Sequence, residues 1–152
     1  MHVVFVCTGN ICRSPMAEVM ARQAIVDAGL GQQVTVSSAA TTDWHVGRGM
    51  DPRAGAELRA QGLSDVHTVS QVDDRDLAAD LLIALDRGHR THLLDAGADP
   101  DKVFLMRSFD PDAETDDVAD PYYGDDAGFG TTRADINFAL PGLLDEIRRR
   151  LG

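Results

Sequence analysis

The chain has 152 residues, of which 43% are hydrophobic and 26% charged, and this fits one soluble globular domain over residues 1–152. Its net charge of −11 argues against nucleic acid and anionic membranes as partners. No stretch approaches the roughly 20 apolar residues of a membrane span, so we expect a cytoplasmic protein, although export without a signal peptide would leave no trace here. The many arginines beside a single lysine, Lys102, are typical of a GC-rich bacterial genome.

The first third of the chain predicts two strands separated by a helix. Apolar residues 3–6 form the first strand, and a helix follows with Ser14 as its N-cap and a proline at its first position. Apolar residues then recur at helical spacing until Gly29 ends this helix. Residues 34–37 alternate as a second strand, and residues 41–50 form a loop that contains the only tryptophan.

The rest of the chain continues the alternation of helices and strands. Asp51 and Pro52 begin a helix that ends at Gly62. The further predicted elements are a short helical turn at 74–78, a strand at 81–85, a helix at 89–94, a strand at 103–106 and a last helix from about 134 to 151. Residues 110–126 are acidic and contain no lysine or arginine, which indicates an exposed loop.

Strands that alternate with helices predict an α/β fold. We expect a three-layer sandwich, with a four-stranded parallel sheet in the flavodoxin-like order 2-1-3-4 and helices on both faces. Ligands of such sheets bind beyond the carboxyl ends of the strands. Cys7 follows the first strand directly, so it falls where this fold places its site.

The loop after the first strand has the composition of an anion site around a sulfur. Small or turn-prone residues separate Cys7 from Arg13 and Ser14, and a helix begins there. Successive backbone N–H groups of such a loop can surround a tetrahedral anion with the helix dipole behind them, and an arginine binds two phosphate oxygens at once. A thiol at a helix N-terminus beside a cation loses its proton readily. The alternative is a small buried cysteine and an unrelated surface arginine.

The two cysteines, Cys7 and Cys12, argue against two other kinds of site. A secreted disulfide framework usually has more cysteines at wider spacing, and two sulfurs without nearby histidines make a poor zinc site. The loop is also no nucleotide-binding loop, because neither Gly-Lys-[Ser/Thr] nor GxGxxG occurs in it.

Residues 6–18, Val-Cys-Thr-Gly-Asn-Ile-Cys-Arg-Ser-Pro-Met-Ala-Glu, resemble the signature of the low-molecular-weight protein tyrosine phosphatases. The resemblance extends over essentially the whole chain and includes Asp-Pro-Tyr-Tyr-Gly at 120–124. It implies a protein-tyrosine phosphatase in which Cys7 forms a phosphocysteine, Arg13 clamps the phosphate and Asp120 is the general acid and base. No metal or cofactor is implied. The expected substrate is a phosphotyrosine-containing protein and the product is inorganic phosphate.

The same resemblance implies roles for other residues. Ser14 stabilises the thiolate, Ser38 and His67 hold Asn10, and Asp86 steadies Arg13. The residues implied in substrate binding are Thr8, Gly9, Asn10, Ile11 and Cys12 of the loop, and Trp44, Tyr122 and Tyr123 as aromatic walls. In this family Cys12 can also form a reversible disulfide with Cys7. The alternatives are a packed thiol for Cys12, core packing for Trp44 and an ordinary histidine for His67.

Two rival functions remain at this stage. An arsenate reductase of the same fold would add a downstream cysteine pair, or would use a small thiol without keeping Asp-Pro-Tyr-Tyr-Gly. A phosphotyrosine-binding module without catalysis would need an impaired nucleophile, arginine or acid, and all three are intact. Residues 67–71 lack the basic residues frequent in the family, so one anion contact at the rim of the site is in doubt. We expect a monomer or a weak homo-oligomer.

Overall fold

A computed structural model describes all of residues 1–152. The strands are β1 (His2–Cys7), β2 (Thr35–Ala40), β3 (Leu81–Ala84) and β4 (Val103–Leu105). The helices are α1 (Arg13–Asp27), α2 (Pro52–Ala60), α3 (Asp74–Leu77), α4 (Arg87–Asp95) and α5 (Asp126–Leu151). Two 3-10 turns, Pro100–Lys102 and Met106–Phe109, flank β4. None of the helices is both long and apolar enough to cross a bilayer.

The four strands form one parallel sheet in the order β2-β1-β3-β4. The predicted fold class and strand order are therefore confirmed. β1 lies inside the sheet, with Phe5 beside Ser38 of β2 on one side and Ile83 of β3 on the other. The carboxyl end of β1 consequently opens onto the edge where β2 and β3 also end. Cys7 occupies that end of β1.

The side chains of β1 alternate between two hydrophobic layers. Val3, Phe5 and Cys7 lie in the larger layer, which also contains the buried residues of α1, α2 and α5. Val4 and Val6 lie in the smaller layer, beneath α4. This alternation follows from the two-residue period of a strand whose faces are both covered. Cys7 thus faces the α1 side of the sheet.

The start of α1 differs from its prediction. The helix begins at Arg13, and Cys12 occupies the N-cap position without a side-chain cap hydrogen bond. The prediction that Ser14 caps this helix is therefore wrong. Its hydroxyl contacts the Cys7 sulfur at 2.9 Å and the Asn10 amide nitrogen at 2.7 Å instead. Of the two roles predicted for Ser14, the structure therefore lacks the cap and shows the contact with the sulfur.

The last helix begins eight residues before the predicted position 134, at Asp126. Glycines at 128 and 130 and threonines at 131 and 132 make this segment a weak helix former by intrinsic propensity. Burial of Phe129 and Thr132 compensates, because tertiary packing overrides propensity. Further along α5, a Cβ atom at Gly142 would lie 2.1 Å from the Phe109 carbonyl oxygen, so only glycine allows this close approach.

The acidic segment before α5 is only partly the exposed loop that its composition predicts. Most of its side chains are exposed, but Val118 is fully buried in the larger hydrophobic layer. The backbone N–H of Val118 donates to the Leu85 carbonyl at 2.9 Å, directly after β3. This anchor brings the following residues to the carboxyl edge of the sheet.

Candidate active site

The loop between β1 and α1 turns on Asn10, the only residue besides glycine with a positive φ (55°). The left-handed conformation costs an ordinary residue about 1 kcal/mol, and Asn is among the few that adopt it routinely. The Asn10 side chain is fully buried behind the loop, where its Nδ2 donates to Ser14 Oγ at 2.7 Å and to Ser38 Oγ at 2.9 Å. Its Oδ1 lies 3.1 Å from His67 Nε2 and accepts from the Ser70 N–H at 3.3 Å.

These contacts bring Ser38 and His67 together around Asn10, as the resemblance predicts. His67 Nε2 is also 2.8 Å from the Asn10 carbonyl oxygen, so this histidine contacts both the backbone and the side chain of the turn. Ser38 Oγ donates onward to Glu18 Oε1 at 2.6 Å. A polar network from α1, β2 and the 67–70 segment therefore fixes the loop from behind.

The Cys7 sulfur receives hydrogen bonds from two groups of Ser14. The backbone N–H of Ser14 lies 3.4 Å from Sγ, and the hydroxyl oxygen lies 2.9 Å from it. Because the Ser14 hydroxyl accepts from the Asn10 amide, its own proton is directed to the sulfur. Hydrogen bonds to the charged form favour it, so this arrangement stabilises a thiolate.

The second cysteine has a different environment. Cys12 is buried, and burial, followed by the nearby charge of Asp51, raises the pKa of its thiol well above the ordinary value. Cys12 therefore stays protonated at neutral pH. Of the two sulfurs, only that of Cys7 has hydrogen-bond donors that stabilise a thiolate. Both cysteines are free thiols. The Cys7–Cys12 disulfide implied by the resemblance stays a prediction.

The guanidinium of Arg13 is buried and held by one of its two terminal nitrogens. Nη1 donates to Asp86 Oδ2 and to the Val118 carbonyl, both at 2.9 Å. Burial alone would raise the pKa of Asp86, but hydrogen bonding from His89 N–H and the Arg13 guanidinium hold it below its usual range. Asp86 is thus an ionised partner that orients Arg13. This is the place that the resemblance predicts for it.

Asp120 reaches the other end of the same guanidinium. Its Oδ2 lies 3.6 Å from Arg13 Nη2, and its Oδ1 accepts from the Tyr122 N–H at 3.1 Å. The side chain is 40% exposed, in contrast to the 4% exposure of the Arg13 side chain. The carboxylate therefore stands at the mouth of the site, where it can exchange protons with a bound molecule or with water.

Cys7, Arg13 and Asp120 line one cavity of about 160 Å³. Its remaining lining residues are Thr8, Gly9, Ile11, Cys12, Trp44, His45, Tyr122 and Tyr123. Trp44 is 67% exposed, which excludes core packing as the reason for this tryptophan. Tyr122 and Tyr123 pack edge to face with ring centroids 5.0 Å apart. The predicted aromatic walls and the predicted anion loop therefore border the same space.

Five of the predicted site residues lie outside this lining, namely Asn10, Ser14, Ser38, His67 and Asp86. All five are behind the loop, so their side chains support it. The side chain of Asn10 is fully buried in the network described above, so the substrate contact predicted for this residue is left to its backbone N–H and stays a prediction.

Sequence reasoning missed three residues that the structure adds to the site. His45 lines the cavity and lies against Gly9, where a Cβ atom would approach His45 Cδ2 to 3.1 Å. Arg53 donates to the carbonyls of Tyr122 and Gly124, at 3.1 and 3.3 Å, and so fastens the segment that carries Asp120. His89 lies 2.8 Å from the Thr8 hydroxyl. Only His89 had a signal in the sequence, the Asp-x-x-His spacing of a capping box.

Residues 2–151 match the family model described as low molecular weight phosphotyrosine protein phosphatase. The chain belongs to this family. It is 52% identical over 153 residues to low molecular weight protein-tyrosine phosphatase A of Mycobacterium tuberculosis (strain ATCC 25618 / H37Rv), covering 99% of this chain and 94% of that protein. The family predicted from the loop motif is therefore confirmed.

Solved structures share the whole fold. A protein tyrosine phosphatase from Entamoeba histolytica, with Hepes in its active site, has a TM-score of 0.93 and 29% identity, covering 100% of this chain and 99% of that one. The YwlE arginine phosphatase of Bacillus subtilis has a TM-score of 0.89 and 29% identity, with full coverage of both chains, in a mutant whose active-site serine is phosphorylated. The fold thus occurs in phosphatases named for two different phosphorylated side chains.

Proposed function

We propose that this protein hydrolyses phosphotyrosine in protein substrates through a phosphocysteine intermediate. The observation that carries the proposal is the convergence of Cys7, Arg13 and Asp120 on one cavity walled by aromatic rings. A nucleophile, a fixed cation and a proton donor are the three groups that transfer of a phosphoryl group to a thiolate requires.

In the first step, the Cys7 thiolate attacks phosphorus in line with the bond to the tyrosyl oxygen. The S–P bond forms and the P–O bond breaks, and Asp120 gives its proton to the departing phenolate. Arg13 and the N–H groups of the loop hold the equatorial oxygens while charge shifts onto them. Because Arg13 is anchored by Asp86 and Val118, its orientation is fixed before the substrate arrives.

In the second step, water attacks the phosphocysteine. Asp120, now ionised, takes a proton from this water, the S–P bond breaks, and inorganic phosphate leaves with the thiolate restored. The phosphorylated active-site serine in the YwlE mutant supports a covalent step of this kind in the shared fold.

The rim favours an aromatic phosphate ester. Trp44, Tyr122 and Tyr123 line this cavity and can contact a phenyl ring, and such contacts contribute about 0.5–1.5 kcal/mol each beyond the buried area. A phosphorylated arginine would place a flat guanidinium group in the same cavity. Because both side chains are flat, the assay compares the two phosphorylated residues directly.

The decisive experiment measures phosphate release from a phosphotyrosyl peptide and a phosphoarginyl peptide of the same sequence. We expect release from the phosphotyrosyl peptide in the presence of EDTA, and none from Cys7→Ser. A strong preference for phosphoarginine would overturn the substrate, and loss of turnover with EDTA would overturn the mechanism. Arsenate-dependent oxidation of a thiol donor would identify a reductase, and tight binding without turnover would identify a binding module.

We further propose a reducing compartment, the cytoplasm, as the place of action. The mechanism needs Cys7 as a free thiolate, and Cys12 is a second free thiol close by in the same cavity lining. Such pairs persist as thiols where glutathione and thioredoxin keep proteins reduced. Fractionation of the cells that make the protein would test this. Sedimentation of the purified protein would test the expected monomer or weak homo-oligomer.

A further inference from the structure

A buried histidine stands directly beside the loop that surrounds Cys7. His89 is 4% exposed, and it lies in the first turn of α4, three residues after the N-cap residue Asp86. Its Nε2 is 2.8 Å from the hydroxyl oxygen of Thr8, the residue that follows Cys7. Nothing in the two chemical steps described above uses this contact.

The backbone of Asp86 determines which ring nitrogen of His89 carries the proton. The Asp86 N–H donates to His89 Nδ1 at 3.2 Å, and a backbone N–H can only donate, so Nδ1 holds a lone pair. Asp86 Oδ1 is also 3.2 Å from Nδ1, but only the Asp86 N–H meets Nδ1 with the geometry of a hydrogen bond, and Oδ1 accepts the backbone N–H of His89 at 3.0 Å. Burial, followed by the charge of Arg13, lowers the pKa of His89 to about 4. The ring is therefore neutral at neutral pH and has its proton on Nε2.

The tautomer of His89 in turn determines the direction of the Thr8 hydroxyl. Since Nε2 donates to the Thr8 oxygen, the hydroxyl proton must be given to another acceptor. The Thr8 hydroxyl makes no second hydrogen bond within the protein, and Thr8 lines the cavity together with Cys7 and Arg13. An oxygen of a bound phosphoryl group is the acceptor that this cavity would supply.

We propose that the Thr8 hydroxyl donates a hydrogen bond to the transferring phosphoryl group, and that Asp86 and His89 orient it for this purpose. The inference rests on the proposed phosphatase function and adds a side-chain donor to the backbone N–H groups of the loop. Thr8 contacts the reacting group, whereas His89 is a positioning residue. Asp86 then orients two donors at once, Arg13 through Oδ2 and Thr8 through His89.

A similar arrangement occurs at Ser14, which contacts the sulfur. There the Asn10 amide donates to the Ser14 hydroxyl, which leaves the Ser14 proton for Cys7. At Thr8 the donor is the imidazole of His89 instead of an amide. In both cases a buried neutral donor occupies a lone pair of a hydroxyl and so directs its proton into the site. Ser14 serves the nucleophile, and Thr8 serves the group that the nucleophile attacks.

The test compares Thr8→Val, which removes the hydroxyl and keeps the shape, with Thr8→Ser, which keeps the hydroxyl. A hydrogen bond to a charged group contributes about 1.5–3 kcal/mol, so Thr8→Val should lose about 10- to 100-fold in kcat/KM for an aryl phosphate. Orthovanadate should bind Thr8→Val more weakly by a similar factor. Thr8→Ser should stay within about threefold of the wild type for the same reason.

A double-mutant cycle with His89→Gln separates orientation from general support. If His89 acts through Thr8, His89→Gln lowers kcat/KM in the wild type but adds little in the Thr8→Val background. Equal losses in both backgrounds would assign His89 to general support and overturn the orienting role. Melting temperatures of all four proteins show whether the fold is kept.

Nitrogen-15 NMR of the wild-type protein tests the tautomer without any substitution. We expect an unprotonated Nδ1 and a protonated Nε2 for His89, with a change in the Nε2 signal when vanadate binds. A proton on Nδ1, or unchanged kcat/KM in Thr8→Val, would overturn the inference. A wild-type protein that does not hydrolyse aryl phosphates would instead overturn the proposed function, so the two failures can be told apart.

Discussion

The two halves of the site are built in opposite ways. The loop from Cys7 to Ser14 has buried polar residues at Asn10, Arg13 and Ser14. Asn10 and Arg13 have side-chain partners from distant parts of the chain, Ser38 and Asp86, and Ser14 is held by Asn10. The segment of Asp120 is exposed, and Arg53 on α2 is its main side-chain attachment. The half that binds phosphate is fixed in advance, whereas the half that transfers protons faces solvent.

This difference matches what each half must do. Every substrate presents the same phosphoryl group, so donors with fixed positions stabilise its transition state without reorganisation. The leaving group and the attacking water differ in size and position, so their proton donor needs access to both.

Arg13→Lys tests the fixed half. Lysine keeps the charge but has a single nitrogen, which cannot donate to Asp86 and Val118, as Nη1 of Arg13 does, while a second nitrogen in a fixed plane is presented to the phosphate. We expect kcat to fall by about 1000-fold, the upper range for loss of one preorganised donor. Steady-state kinetics with an aryl phosphate measures this effect. A loss below tenfold would mean that a point charge suffices and that the fixed geometry is unimportant.

Asp120→Asn tests the exposed half. Without the acid, the rate should fall by about 100-fold for phenyl phosphate and much less for p-nitrophenyl phosphate, whose leaving group needs little protonation. The measurement is kcat for a series of aryl phosphates whose phenol leaving groups have increasing pKa. Arg13→Lys is the control, because it should lower all members of the series alike. An equal loss of kcat for every member of the series in Asp120→Asn would contradict the role of Asp120 as the general acid.

The stability of the fixed half should depend on pH through His89. Its pKa of about 4 lies below the ordinary 6.5, so the unfolded chain binds the proton more readily than the folded one. The stabilisation is complete above about pH 6.5 and is lost as the pH falls to about 4, by at most about 3 kcal/mol. The difference in the free energy of unfolding between the wild type and His89→Gln, measured with urea, should therefore narrow as the pH falls through this range. Parallel pH profiles would contradict the prediction.

Arg53→Lys should have the smallest effect. Lysine cannot donate to the carbonyls of Tyr122 and Gly124 while also pairing with Asp51, so the segment that carries Asp120 loses these hydrogen bonds. Because Asp120 keeps its contact with the Tyr122 N–H, we expect about a threefold loss in kcat for phenyl phosphate, the scale of one surface contact. Arg59→Lys, which alters a distant pair with Asp65, is the matched control. Equal effects of both variants would show that Arg53 does not support the acid.

The fixed half could be predicted well because its reacting groups are consecutive in the sequence. Cys7, Arg13 and the start of α1 lie within one strand–loop–helix unit, and local composition determines such a unit. Asp120 was found through the family resemblance, since by composition it is one carboxylate among many in an acidic segment.

What sequence reasoning missed depends on tertiary contacts. The early start of α5 follows from burial of Phe129 and Thr132, which no local pattern reveals. Arg53 and His89 reach the site across 69 and 81 residues of chain, and only folding brings such groups together. Ser14 was predicted both to cap the helix and to reach the sulfur, and because the helix begins at Arg13 only the contact with the sulfur is present.

The contact between Arg13 and the Val118 carbonyl spans 105 residues. A ribosome therefore releases the cysteine long before it releases the residue that holds the arginine beside it. Until then the nascent chain exposes a thiol without the anchored cation of the finished enzyme. The anchored arginine of the site is therefore in place only after residue 118 has left the ribosome.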